Sequence, residues 1–145
     1  MIKIELERVH GDYGFEAKDM YGQSVRIDNS PEHGGDHFGV RPMQMLLMSL
    51  AGCSGMDVIS ILKKQRQNVT DYKTIVRGER EQGVEPSVWK YVELEFIIYG
   101  DVDESKAQRA VELSITKYCS VAETLRRAGA EIKWSVKVEK AVAAQ

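Results

Sequence analysis

The chain holds two cysteines, Cys53 and Cys119, and a thiol is the side chain most readily used as a nucleophile, metal ligand or redox centre. Cys53 stands in Met48-Ser-Leu-Ala-Gly-Cys-Ser-Gly-Met-Asp-Val-Ile-Ser60, inside a long apolar run and between Gly52 and Gly55. Glycine in a helix interior costs roughly 0.5–1 kcal/mol relative to alanine. Two of them beside a thiol therefore point to a close approach, by another backbone or by a substrate. The plain alternative is a buried cysteine acting as a small hydrophobe, with the glycines serving helix packing. Cys119 stands in Lys117-Tyr-Cys-Ser120, at the expected junction of two helices, where the positive end of a helix dipole can favour a thiolate. Against activation of Cys53, Asp57 follows one helical turn later, and a carboxylate there disfavours a thiolate. An activating cation must come from elsewhere. Arg41 is about 18 Å away along a helix axis; Arg8, Arg26, Arg77 and Arg80 stay open.

Other candidates carry less chemistry. His33 and His37, with Asp36 between them, have the spacing of a helical metal pair, yet they lie in a loop, Asn29-Ser-Pro-Glu-His-Gly-Gly-Asp-His-Phe-Gly39. A solvated loop is the reading there, and no metal site is expected. Glu79-Arg80-Glu81 reads as a solvated strand face, and Gly100-Asp-Val-Asp103 as a turn and helix cap. No phosphate-binding glycine loop or Ser-His-Asp arrangement is present, and no cofactor is expected.

The elements that must position the two thiols follow from periodicity. Ile2, Ile4 and Leu6 alternate with Lys3, Glu5 and Glu7, a strand pattern. Tyr13 to Asp19 and Gln23 to Asp28 continue as short strands, with Gly11, Gly14 and Gly22 at turns. Pro42 opens a helix, since a first-turn proline loses no hydrogen bond. Met43 to Leu62 is apolar on nearly every face and ends on Lys63-Lys-Gln-Arg66, cations suited to a helix C-terminus. Such a length raises a membrane span, but Gln44, Asp57 and several Ser and Gly residues dilute it. A buried core helix is the reading, which requires sheets or a partner subunit on all sides. Val69 to Glu81 and Val88 to Tyr99 form a hairpin through Gln82-Gly-Val-Glu-Pro86. Asp103 caps a helix that runs to Tyr118; a short helix from Ser120 to Arg127 stops at Gly129; and Ile132, Trp134, Val136 and Val138 mark a last strand. The order β-β-β-α-β-β-α-α-β, with strands in runs, gives an α+β class.

A length of 145 residues fits one domain, 1–145, with a sizeable core. The net charge of −2 and the scattered basic residues exclude an electrostatic nucleic-acid binder. Met-Ile-Lys-Ile-Glu-Leu-Glu-Arg at the start is not a signal peptide pattern. A cytoplasmic location is expected, where thiols are kept reduced and a pairing of the two cysteines would be transient and chemical.

Pro42-Met-Gln-Met-Leu-Leu-Met-Ser-Leu-Ala-Gly-Cys53 and the later Lys117-Tyr-Cys-Ser-Val121, after Arg109-Ala-Val-Glu-Leu-Ser114, together resemble the two cysteine segments of the OsmC/Ohr family of thiol-dependent peroxidases. The resemblance covers nearly the whole chain in element order. It implies an intertwined homodimer in which a long buried central helix is wrapped by antiparallel sheets. It implies that Cys53 attacks an organic hydroperoxide and becomes a sulfenic acid, that Cys119 resolves it as a disulfide, and that an external dithiol reductant restores the pair. The sequence departs from the best-studied members, which carry a Glu after the helix proline, paired with an early Arg. Here Met43 follows Pro42, Gln44 comes next, and the matching early turn offers Asp12; Arg26 or Arg80 is left to take over. The competing reading is a protein that keeps the fold but binds a small apolar ligand, or senses redox state through the same thiols.

Overall fold

The computed structural model describes residues 1–140, in two compact units, Met1–Leu46 and the chain from Leu47 onward. In the first unit, β1 (Glu5–His10), β2 (Gly14–Lys18) and β3 (Ser24–Ile27) form an antiparallel sheet in that order. Gly11, at φ 54°, makes the tight turn between β1 and β2. The loop after β3 is organised by Asp28, which is buried and accepts the backbone N–H groups of Asn29, Asp36 and Phe38 at 2.8, 2.8 and 3.1 Å. The N–H of Asp36 does most to hold the Asp28 carboxyl below its ordinary pKa. A single 3₁₀ turn, Pro31–His33, interrupts what the composition marked as irregular.

Helix α1 (Pro42–Lys64) begins in the first unit and continues through the second. There, β4 (Asn68–Arg80) and β5 (Trp89–Asp101) form the expected hairpin. The chain then crosses over through α2 (Glu104–Leu113), a π-helical turn (Ser114–Tyr118) and α3 (Ser120–Arg127) to β6 (Glu131–Glu139). The α+β order is the one the periodicity gives. The sheets are not wholly antiparallel, however: β6 runs parallel to β5, with Leu94 opposite Trp134 and Phe96 opposite Val136. The α2–α3 segment is the physical reason, because a helical crossover returns the chain to the end where β5 began.

Alternation on β5 buries Val92, Leu94, Phe96 and Ile98, and helical spacing on α1 buries Leu50, Ser54, Val58 and Leu62. Ala107, Ala110, Val111 and Ile115 of the crossover complete this core. Burying each large apolar side chain contributes about 1.5–3 kcal/mol. In the single chain α1 is not covered on every side: Met48 is 50% and Met56 73% exposed. The helix is long and apolar enough to cross a membrane by length and composition. Its buried stripe nonetheless meets protein groups, and Asp57 on the same helix is hydrogen-bonded to Ser114 of the crossover.

Candidate active site

Both cysteines lie in the second unit, and the crossover brings them together. Cys53 is half-buried on α1 and Cys119 is buried, each with a free thiol. The two sulfurs and a carboxylate oxygen of Asp57 all lie within 4.8 Å of one another.

The π-helical turn delivers Cys119. Apolar and small residues at Ala107, Ala110, Val111 and Ser114 keep α2 against the core, which favours continuing the helix. Ser114 instead takes the backbone N–H of Cys119 on its carbonyl at 2.7 Å, a bond across five residues. This widened turn carries the helical run on to Tyr118, the end the sequence pattern gives, in π rather than α form. Such bulges often occur at functional positions. The Arg126 guanidinium closes on the Ile115 carbonyl at 2.6 Å and so satisfies a backbone acceptor of the turn. Cys119 then caps α3, its sulfur accepting the Ala122 N–H at 3.4 Å.

That cap does not make Cys119 a thiolate. Burial pushes its thiol up from 9.0 to about 11, the Ala122 N–H opposes this only in part, and the neighbouring Cys53 adds to the upward shift. The helix-dipole expectation is overruled by desolvation. In a Cys53→Ala variant, where burial still acts, iodoacetamide labelling of Cys119 in the folded protein should be slow at neutral pH. It should rise with a midpoint above the ordinary 9.0, read by mass spectrometry. A midpoint below that value would show the cap to dominate.

Ser114 is the participant that sequence reasoning missed. It is fully buried, donates its hydroxyl to Asp57 Oδ2 at 2.9 Å and lies 3.3 Å from the Ser54 carbonyl. A serine continuing the apolar stripe of α2 was the available signal. The two glycines beside Cys53 have different surroundings. A Cβ on Gly55 would sit 3.3 Å from the Tyr72 ring, so this glycine seats the helix on β4; a Cβ on Gly52 would meet nothing within 4 Å, so no close approach requires that glycine.

The candidate cations either have other partners in the second unit or belong to the first. Arg77 pairs with Glu95 at 3.4 Å, and Arg80 donates to the Ser87 carbonyl and faces the Trp89 ring. In the first unit Arg26 lies over the Phe38 ring, and Arg8 stands on the exposed β1. Within the second unit, Lys117 and Arg127 line a groove that reaches Cys119, and Lys64 lines one that reaches Asp57; Tyr118 borders both. The loop histidines do not assemble: His33 bonds Ser30 at 2.7 Å, and Asp36 bonds His10 at 2.7 Å.

Two free thiols brought together by a helical crossover, beside a sheet of this order, define a class of α+β proteins with paired cysteines. The family model for OsmC-like proteins matches residues 33–135, and the chain belongs to that family. Protein YhfA of Escherichia coli K12 is 44% identical over 88 residues, covering 60% of this chain and 65% of that protein. A hypothetical protein of Aquifex aeolicus is 34% identical over 96% of this chain and 98% of its own, with a TM-score of 0.79. The organic hydroperoxide resistance protein OhrB of Bacillus subtilis shares the fold at 18% identity, with a TM-score of 0.62 over 94% of this chain and 98% of its own.

Proposed function

We propose that this protein is a thiol-dependent peroxidase that reduces organic hydroperoxides, with Cys53 as the attacking thiol and Cys119 as the resolving one. The carrying observation is that two cysteines far apart in sequence have their sulfurs within 4.8 Å, one of them half-buried and the other buried. Membership of the OsmC-like family agrees with it, and some proteins of the same fold are named for organic hydroperoxide resistance.

In the first step the Cys53 thiolate attacks the distal oxygen of the hydroperoxide. The O–O bond breaks, an alcohol leaves after taking a proton, and Cys53 becomes a sulfenic acid. In the second, Cys119 attacks the sulfenic sulfur, the S–S bond forms, and the hydroxyl leaves with the Cys119 proton as water. An external dithiol then reduces the disulfide, its two electrons and two protons regenerating both thiols. Burial keeps Cys119 protonated, which spares it from the oxidant until Cys53 has reacted. The Asp57 carboxylate, bonded by Ser114, lies within 4.8 Å of both sulfurs.

The reading includes a homodimer. Met48, Met56 and Ile59 of α1 and the whole of β1, with Leu6 and Val9, stay exposed in the single chain, and apolar surface of this kind marks an interaction site. The family match runs across both units, in favour of one functional domain. A cytoplasmic location suits two free thiols.

The test is consumption of an organic hydroperoxide by purified protein with a regenerating dithiol. Many turnovers per chain are expected; a rate equal to that of the dithiol alone would end the proposal. A second reading, redox sensing or small-ligand binding without turnover, is favoured by the Asp57 carboxylate beside the thiols, because among the described residues no lysine or arginine forms an ion pair with it. It predicts disulfide formation by peroxide that the dithiol reverses only slowly.

A further inference from the structure

We propose that the reduced site also binds a zinc ion, held by Cys53, Cys119 and Asp57. The proposal goes beyond peroxide chemistry and does not depend on it. The site gathers three potential anions, two thiols and a carboxylate, within 4.8 Å of one another. Among the described residues no basic side chain pairs with the carboxylate. Left without a cation, each ionised member would repel the other two. One divalent ion satisfies all three together.

The donor set selects the metal. Two thiolates and one carboxylate suit a borderline-soft, tetrahedral ion, whereas calcium and magnesium require oxygen shells. Zinc–sulfur bonds of about 2.3 Å and zinc–oxygen bonds of about 2.1 Å place tetrahedral donors about 3.6–3.8 Å apart. The present limit of 4.8 Å therefore needs a contraction of about 1 Å at most to reach that geometry, within reach of side-chain torsions. On binding, each thiol sheds its proton to solvent, and three protein ligands leave a fourth position for water. The support around the ligands is also built. The Ser114 hydroxyl orients Asp57 at 2.9 Å, and the Ala122 N–H points at the Cys119 sulfur at 3.4 Å. Metal ligands are characteristically fixed by such outer hydrogen bonds. Oxidation of the two thiols to a disulfide would remove both sulfur ligands and release the ion, so occupancy reports the reduced state.

The experiment titrates reduced, metal-free protein with zinc against a chromophoric chelator, and with cobalt as a spectroscopic probe, under anaerobic conditions. A single equivalent per chain is expected, with a thiolate-to-cobalt charge-transfer band. Both disappear in Cys53→Ser, in Cys119→Ser and in wild-type protein oxidised with diamide, and they return when the oxidised protein is reduced. Asp57→Asn and Ser114→Ala each weaken zinc binding roughly 10–100-fold. Circular dichroism checks that the variants fold, and iodoacetamide-blocked wild-type protein replaces any that do not. Stoichiometric binding unchanged in the cysteine variants or in oxidised protein would assign the metal to surface groups such as His33 and His37 and overturn the proposal, as would absence of the band. Loss of peroxidase activity with zinc binding intact would count against the peroxidase reading alone.

Discussion

Cys53→Ser should consume no hydroperoxide above the protein-free rate, whereas Cys119→Ser should consume a single equivalent per chain when no reductant is added and then stop. The difference follows from the unequal settings of the two sulfurs. Cys53 is half-buried, while Cys119 is 2% exposed and protonated at neutral pH. A peroxide meets Cys53 first. Without Cys119, the sulfenic acid on Cys53 has no sulfur to condense with and persists. It is detected by mass as an adduct with a sulfenic-acid-specific reagent. Wild-type protein should instead lose two hydrogens and carry no adduct. Both substitutions fit the fold locally. Serine is a favoured N-cap, so Ser at 119 still offers an acceptor to Ala122; on α1 a serine can bond back to a carbonyl, as Ser54 does to Leu50 at 2.7 Å. The assignment of roles fails if Cys119→Ser behaves as Cys53→Ser does, and the reaction is not thiol-based if neither differs from wild type.

What could be read in advance was local and periodic. The alternation of Val92, Leu94, Phe96 and Ile98 marks a strand with one buried face, and Pro42 and Gly129 mark the start of one helix and the end of another, because each signal is carried by neighbouring residues. The direction of β6 is not local. Ile132, Trp134, Val136 and Val138 alternate identically in a parallel or an antiparallel pairing, and the crossover alone decides it. The π-helical turn was hidden for a related reason. The spacing of Ala107, Ala110, Val111 and Ser114 continues smoothly to Tyr118, and only the tertiary bonds around Ser114 and Arg126 show where the helix widens. Cys53 and Cys119 stood out as candidates from their neighbours in the sequence. Their mutual distance and the buried, protonated state of Cys119 were not legible there, since desolvation is set by packing rather than by position in a helix. The dipole expectation for Cys119 failed on that point, and Asp57 was read as an opponent of the thiol without its partner Ser114.

Phe96→Ala should destabilise the protein by about 3–5 kcal/mol, the cost of deleting a fully buried aromatic side chain and leaving a cavity. Phe96 has no exposed surface, lies between Leu94 and Ile98 on the buried face of β5, and meets the Tyr72 ring edge-on with centroids 6.4 Å apart. Small domains hold about 5–15 kcal/mol in all, so the loss is a large fraction of the total. It should appear as a lower urea midpoint with an unchanged slope, compared at equal protein concentration in case association contributes. Lys73→Ala, at an exposed β4 position beside Tyr72, should stay within about 0.5 kcal/mol. The consequence reaches the site by one further contact. Tyr72 is the ring against which Gly55 seats α1, and α1 carries Cys53 and Asp57. If the sheet is the platform that holds the thiols together, Phe96→Ala should also slow disulfide formation by a stoichiometric oxidant well below its melting range. A destabilised variant that still closes the Cys53–Cys119 bond at the wild-type rate would place the alignment of the sulfurs in the Ser114–Asp57 contact and the π-helical turn rather than in the sheet beneath them.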